Sequence, residues 1–158
     1  MMKRLFVFAL ILSCASGIFA QNETPDNNVA MGIGPEFNMN SRYNFAMGGV
    51  FGFDANLPHS LALGFTFTAS YNFNGITVVE PAVLFRWYFL GTGHKGFFAQ
   101  ADMGGYLIFE DGDIKPMVLG GLRGGYRFTP ASHFYLEPYG RLGYPFAFGI
   151  GVMAGLRF

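Results

Sequence analysis

The sequence has a single cysteine, few charged residues and no long apolar run beyond its first twenty residues. Charged residues make up 13% of the chain, against about 25% in typical soluble domains. Cys14 is the only cysteine, so the chain beyond it has neither a disulfide nor thiol chemistry. No later stretch reaches the roughly 18 continuous apolar residues of a membrane-spanning helix, which excludes a helical bundle. Lys and Arg together number 10, as do Asp and Glu, so nothing favours a nucleic acid as partner.

The first twenty residues have the organisation of a secretory signal peptide. Two basic residues precede an apolar run over residues 5 to 12, and small residues follow as far as Ala20. We expect cleavage after Ala20, with residues 21 to 27 as a flexible lead-in because they are polar and precede the first patterned segment. Cleavage and acylation at Cys14 are the alternative, because the four residues that end at Cys14 are similar to the lipobox at which bacterial lipoproteins are cut and acylated.

The chain is rich in glycine and aromatic residues, and its apolar residues alternate with small or polar ones. It contains 23 Gly, and aromatic residues make up 18% of it. Apolar residues alternate with small or polar residues at a period of two, which is the pattern of β-strands with two different faces. Turn residues such as Asn74-Gly75 separate the alternating segments. We predict eight strands, at about residues 29–38, 43–57, 60–73, 76–90, 97–110, 114–128, 134–144 and 146–158.

An even number of antiparallel strands joined by short turns predicts a closed barrel. A closed barrel is the only sheet form that leaves no unpaired backbone edge in lipid. Bulky Phe, Leu, Met and Tyr occupy one face of the strands, and Gly, Ala, Ser, Thr, Asn and charged residues occupy the other. A small eight-stranded interior has little room beyond side-chain filling, so we expect the bulky face to point outward. The predicted fold is all-β, an eight-stranded antiparallel up-and-down transmembrane β-barrel over residues 28–158.

The last strand carries the most specific pattern of the chain. Its outward residues alternate up to the final aromatic residue: Phe146, Phe148, Ile150, Val152, Leu156 and Phe158. With these features the chain resembles the small eight-stranded outer-membrane barrel proteins of diderm bacteria. The resemblance implies a location in the cell outer membrane, both termini in the periplasm, and a C-terminal strand read by the barrel assembly machinery after periplasmic chaperones deliver the chain. It also implies contact with outer-membrane lipid, and we expect a monomer.

The inward phase of the strands collects charged residues of both signs. We predict a charge network in the lumen made of Glu36, Asp54, Glu80, Arg86, Asp102, Lys115, Arg123, Arg127, Glu137, Arg141 and Arg157, and Glu110 shares the inward phase. Mutual pairing is expected, because an unpaired buried charge costs several kcal/mol. Charges next to prolines, as in Glu80-Pro81 and Glu137-Pro138, suggest a repeated pairing of charges that stiffens the interior within single strands. Prolines inside paired strands also remove hydrogen bonds from the ladder, which a regular barrel would keep.

Catalytic and metal chemistry find little support. Some barrels of this size modify lipid A with a hydroxyl, an imidazole and a carboxylate, and the matching ingredients here are Ser132, His133 and Glu137. Ser132 and His133 fall on a turn at the expected periplasmic end, away from lipid A, and adjacent residues of an extended chain point to opposite faces. His59 and His94 have no second ligand at metal-binding spacing. We therefore expect no enzyme activity, no cofactor and no metal.

Three functions remain compatible with the sequence. The first is an envelope-stabilising barrel with a plugged, non-conducting lumen. The second is a narrow channel or transporter for small or apolar solutes, for which the Gly-rich inner faces are the only hint of space. The third is lipid A modification. The balanced inward charges and short external turns favour the first, because loops that protrude from a rigid scaffold are absent.

Overall fold

The described residues form a closed barrel of eight antiparallel strands. The structure is a computed structural model and describes residues 29–40, 44–90, 94–110, 113–144 and 148–158. The predicted signal peptide, Cys14, the lead-in at residues 21 to 27 and Phe146 lie outside these ranges. The strands are β1 Val29–Asn40, β2 Asn44–Leu57, β3 Leu61–Asn72, β4 Thr77–Leu90, β5 Gly96–Glu110, β6 Asp113–Ala131, β7 Phe134–Tyr144 and β8 Phe148–Arg157.

Each strand pairs with its sequence neighbours, and β1 pairs with β8 to close the barrel. Val29 and Phe158 exchange backbone hydrogen bonds of 3.1 and 2.8 Å at the seam. The predicted fold is therefore confirmed. One end of the barrel holds Val29, Phe158 and the turns after β2, β4 and β6, and we call it the terminal rim. We call the other end the opposite rim. None of the described residues forms a helix long and apolar enough to span a membrane.

The two faces of the wall divide as the alternation predicts. Large apolar side chains cover the outside, with Ile33, Phe73 and Met103 at least two-thirds exposed. The inward positions are buried, and they include most of the charged residues of the strands. An outward apolar surface with a polar interior is the arrangement of barrels that sit in lipid.

Strand β6 departs from its predicted end. It continues to Ala131, so the turn before β7 consists of Ser132 and His133 instead of residues 129 to 133. The pairing register between β6 and β7 shifts between Phe128 and Ala131. This irregularity in the pairing accommodates Pro130 within the strand, because a bulge is one of the places where a sheet tolerates a proline.

Prolines inside three strands coincide with gaps in the backbone ladder. The β1–β8, β4–β5 and β6–β7 pairings are interrupted beside Pro35, Pro81 and Pro138 respectively, where a proline has no N–H to donate. Each proline keeps a cross-strand partner on its other side. The barrel thus tolerates these prolines by giving up ladder bonds on one side only.

Candidate functional site in the barrel interior

The interior holds ten charged side chains that are at most 8% exposed. They alternate along the strands with outward residues, as Arg86 does with Phe85 and Trp87, so the period of two places them all on the same side of the wall. Five are acids and five are arginines: Glu36, Asp54, Glu80, Asp102 and Glu137, with Arg86, Arg123, Arg127, Arg141 and Arg157. Ion pairs sort most of them into two clusters.

The Arg86 cluster, made of Asp54, Arg86, Arg127 and Glu137, lies toward the terminal rim. Arg86 donates to both carboxylate oxygens of Glu137, at 3.0 Å from Nη1 and 2.9 Å from Nη2. Arg127 donates from Nε to Glu137 at 2.6 Å and from Nη2 to Asp54 at 2.8 Å. Two acids and two arginines therefore neutralise one another in a bidentate arrangement.

The Glu36 cluster, made of Glu36, Glu80, Asp102, Arg123 and Arg141, lies nearer the opposite rim. Glu36 accepts hydrogen bonds from Arg123 at 3.2 Å and Arg141 at 2.8 Å. Arg123 also donates from Nε to Asp102 at 2.7 Å. Glu80 Oε2 lies 2.8 Å from Arg141 Nη1, but neither of its oxygens has a hydrogen bond of good geometry. These contacts join strands β1, β4, β5, β6 and β7 across the lumen.

Gln100 connects the two clusters. Its Oε1 accepts from Arg86 Nε at 2.8 Å, and its Nε2 donates to Asp102 at 2.6 Å. Gln100 is 2% exposed. The amide is suited to this position because it offers an acceptor to a guanidinium and a donor to a carboxylate at once. The interior thus contains one continuous polar network instead of two separate clusters.

Aromatic rings pack against the arginines of both clusters. Arg86 lies 4.3 Å from the centroid of Phe98, and Arg127 lies 4.3 Å from that of Tyr135. Tyr139 packs against Arg123 and donates its hydroxyl to Glu36 at 2.6 Å. Cation–π contacts of this kind gain strength where water is excluded.

Interior glycines make the space for these rings. A Cβ added at Gly151 would meet the hydroxyl of Tyr139 at 2.5 Å, and one at Gly155 would meet the ring of Tyr135 at 2.6 Å. The space beside Gly151 and Gly155 is therefore taken up by the rings of Tyr139 and Tyr135.

Two apolar layers complete the filling of the interior. The Leu119 layer lies at the opposite rim, and the Met153 layer packs around and between the two clusters. The first consists of Ala46, Val78, Ala82, Tyr106, Ile108 and Leu119, and the second of Val50, Ala62, Tyr88, Phe98, Tyr139 and Met153. Charged and apolar side chains are therefore both buried in the interior of the described strands.

Lys115 does not lie in the lumen, contrary to the sequence prediction. Its side chain is 51% exposed and pairs with Glu110 at 2.7 Å near the tip of the β5–β6 hairpin. The reason is the uneven length of the wall: β6 pairs with β5 down to Asp113, but with β7 only from Gly120 onward. A residue of inward phase in this one-sided extension faces the mouth of the barrel and water.

His94 and Arg157 occupy the terminal rim. His94 Nε2 lies 3.0 Å from the carbonyl oxygens of both Leu57 and Leu61, and its ring packs edge-on against Tyr88. Burial lowers the pKa of His94, although the two carbonyls oppose that shift. Arg157 is 8% exposed at the same rim. His94 thus links the β4–β5 turn to the β2–β3 turn beneath the Arg86 cluster.

Two of the three residues considered for catalysis, His133 and Glu137, contact other groups. His133 Nδ1 lies 3.2 Å from the carbonyl oxygen of Arg157. Both oxygens of the Glu137 carboxylate are engaged by Arg86 and Arg127, so this group is not available to orient an imidazole. No group of three His, Asp or Glu side chains in the described ranges is placed to hold a metal ion.

The described part of the C-terminal pattern has the predicted outward phase. Phe148, Ile150, Leu156 and Phe158 are between 45% and 58% exposed, and Val152 is half-buried. Met153 and Arg157, in the opposite phase, are buried. Recognition of this strand by an assembly machinery stays a prediction.

Comparisons with known proteins agree with the architecture. No family model matches the chain, and no curated protein matches its sequence. Among solved structures, Neisserial surface protein A is similar over 82% of this chain and 94% of its own, at 12% identity and a TM-score of 0.56. The N-terminal barrel domain of OprF from Pseudomonas aeruginosa is similar over 84% and 98%, at 12% identity and 0.56.

A third structure gives the same result. The outer membrane protein OprG from Pseudomonas aeruginosa is similar over 84% of this chain and 96% of its own, at 8% identity and a TM-score of 0.56. Identities this low support the fold alone, and within that limit the three structures agree with the strand count and closure described above. The chain has the fold of the small eight-stranded outer-membrane β-barrels.

Proposed function

We propose that this chain is a bacterial outer-membrane barrel with a non-conducting lumen and a structural role in the envelope. The observation that supports the proposal is the packed interior, in which ten charged side chains, two apolar layers and a bridging glutamine are all buried among the described residues. The outward apolar wall and the similar outer-membrane barrels support the location. The resemblance to the outer-membrane barrel family implies that both termini lie in the periplasm, so in our proposal the terminal rim faces the periplasm.

Planar-bilayer recording tests the lumen directly. The purified full-length chain should give no steady conductance above the leak of the membrane, whereas a general porin added to the same membrane should conduct. Lys115→Ala is the matched control, because it removes a charge at the mouth without altering the buried network. Steady single-channel conductance from the wild-type chain would overturn the plugged lumen and favour a narrow channel instead.

The envelope role needs a cellular test. Deletion of the gene in its host should increase sensitivity to detergents and large antibiotics, and the wild-type gene should restore resistance. A deletion strain that instead loses uptake of one class of small solutes would contradict the structural role. Unchanged lipid A mass in the deletion strain is expected, since we assign no lipid-modifying activity to the interior.

A further inference from the structure

The outer wall contains a broad apolar groove where small residues replace the bulky side chains found elsewhere. Its floor is formed by Ala99 of β5, Gly124 of β6 and Gly140 of β7, which lie side by side, and by Ala101 of β5, beside which Leu122 of β6 projects outward. Phe85 and Trp87 bound it on one side, and Leu142 and Phe148 on the other. The volume of this groove is about 590 Å³. Strands lie about 4.8 Å apart, so a floor of three strands is about 10 Å wide, enough for two extended hydrocarbon chains.

A second groove continues the first toward the terminal rim. The two share Gly124 and Gly140, and the second adds a volume of about 700 Å³ bounded by Phe89, Phe97 and Tyr126. Phe97 packs edge-on against Tyr126 at 4.8 Å between ring centroids. Phe97 is the second residue of β5, whereas Phe148 is the first of β8. The combined groove, here called the wall groove, therefore runs between the two rims of the barrel.

The packing of the barrel does not explain why the floor is made of glycine. A Cβ added at Gly124 would have its nearest neighbour at 3.9 Å, and one at Gly140 would also have its nearest neighbour at 3.9 Å. Interior Gly151, by contrast, would place a Cβ 2.5 Å from a neighbouring hydroxyl. Side chains would fit at Gly124 and Gly140, so the fold itself does not require the groove.

A basic residue stands where the wall groove meets the terminal rim. Lys95 is exposed and immediately precedes β5. It lies two residues before Phe97, which lines the groove. No carboxylate among the described residues forms an ion pair with it. An exposed ammonium at the end of an apolar groove complements a phosphate attached to acyl chains.

We propose that the wall groove binds a phospholipid of the periplasmic leaflet, with its acyl chains on the Gly124–Gly140 floor and its phosphate at Lys95. The groove is continuous with the outward apolar surface that faces lipid in a membrane barrel. Its aromatic sides stand above a floor about 10 Å wide, which suits a pair of chains better than the convex wall of a second barrel. This inference goes beyond the structural role; it rests on the proposed orientation, with the terminal rim in the periplasm, and does not depend on whether the lumen conducts.

Trp87 reports directly on the groove. It is the only tryptophan of the sequence, lines the groove and is 52% exposed. The full-length chain would be reconstituted into phosphatidylcholine vesicles that contain increasing fractions of phosphatidylglycerol with brominated acyl chains. Bromine quenches the indole only on close approach. We expect quenching of Trp87 at lower fractions of brominated lipid than random contact predicts.

Two variants and two controls separate the parts of the proposal. Gly124→Leu/Gly140→Leu fills the floor and should return quenching to the random curve. Lys95→Ala should reduce the preference for phosphatidylglycerol over phosphatidylcholine by up to about five-fold, without removing chain contact. Gly49→Leu, also an outward glycine with space for a Cβ but lying on β2, and Lys115→Ala at the opposite rim should both behave as wild type.

Each other outcome argues against the proposal. Random quenching in the wild type, or quenching unaffected by Gly124→Leu/Gly140→Leu, would overturn a bound lipid. A preference for lipopolysaccharide over phosphatidylglycerol would overturn the assignment to the periplasmic leaflet. Concentration-dependent cross-linked dimers that the double glycine variant abolishes, without any lipid preference, would show that a second barrel occupies the groove. Heat-modifiable migration on a gel verifies that every variant is folded.

Discussion

Replacement of Glu137 by glutamine should be among the most destabilising single changes in the barrel. Glu137 is fully buried and accepts three hydrogen bonds, two from Arg86 and one from Arg127. A glutamine of the same shape keeps one acceptor oxygen for Arg86 Nη1 and Arg127 Nε but turns its NH₂ group toward Arg86 Nη2, where donor faces donor. Asp54 is then the only carboxylate left in the cluster for two arginines. Removal of one partner from a buried ion pair costs about 3–5 kcal/mol, which is our expected loss in free energy of unfolding.

Urea unfolding in detergent micelles, followed by Trp87 fluorescence and by gel mobility, measures this loss. Glu137→Gln/Arg127→Met is the informative companion, because it removes one charge of each sign and leaves Arg86 beside Asp54. The double variant should lose less stability than the sum of its two single variants. A loss below about 1 kcal/mol for Glu137→Gln, as at an exposed salt bridge, would refute the view that the interior is a dry and mutually dependent network.

Three further outcomes are expected from the same urea titration. Gly151→Ala should cost about 1–3 kcal/mol through overpacking against Tyr139, whereas Gly140→Ala should be neutral or slightly stabilising; equal losses at both sites would contradict the packing argument. Because burial lowers the pKa of His94 below its usual 6.5, the unfolded chain takes up the proton first, so stability should fall as pH drops through about 6.5; His94→Gln should remove that part of the slope, and a slope that rises or persists unchanged would exclude His94 as its source. Lys115→Ala should change stability by less than about 1 kcal/mol, since its ion pair is exposed, and a larger loss would show that the β5–β6 tip contributes to the core.

The alternation of residue types was sufficient to predict which side chains point inward. It placed Glu36, Arg86 and Glu137 correctly inside because a period of two leaves no choice once one face is identified. It failed for Lys115, since the phase of a residue says nothing about whether both neighbouring strands extend as far as it does. How far the neighbouring strand extends depends on its own length and on the pairing register, and the alternation within a single strand reports neither.

The partners within the network could not be predicted from sequence. Neighbouring charges in one strand suggested local braces, yet Glu80 pairs with Arg141 and Glu137 pairs with Arg86. These contacts cross the lumen, so they depend on the curvature of the closed wall. Gln100 is the residue that sequence reasoning missed altogether. Its inward phase was the available signal, but an amide between two charged residues becomes a bridge only when the barrel closes around it.

Closure of the seam between β1 and β8 therefore constrains how the chain can enter a membrane. Glu36 on β1 meets Arg123 on β6 and Arg141 on β7, so Glu36 lacks both of its arginine partners while the sheet is open. An open sheet that entered hydrocarbon edge-first would expose unpaired ions at a cost of several kcal/mol each. The charges must instead remain hydrated or find one another as the wall curls. Insertion and ion pairing in this protein are thus expected to be a single concerted event, with no stable half-inserted sheet between the aqueous chain and the closed barrel.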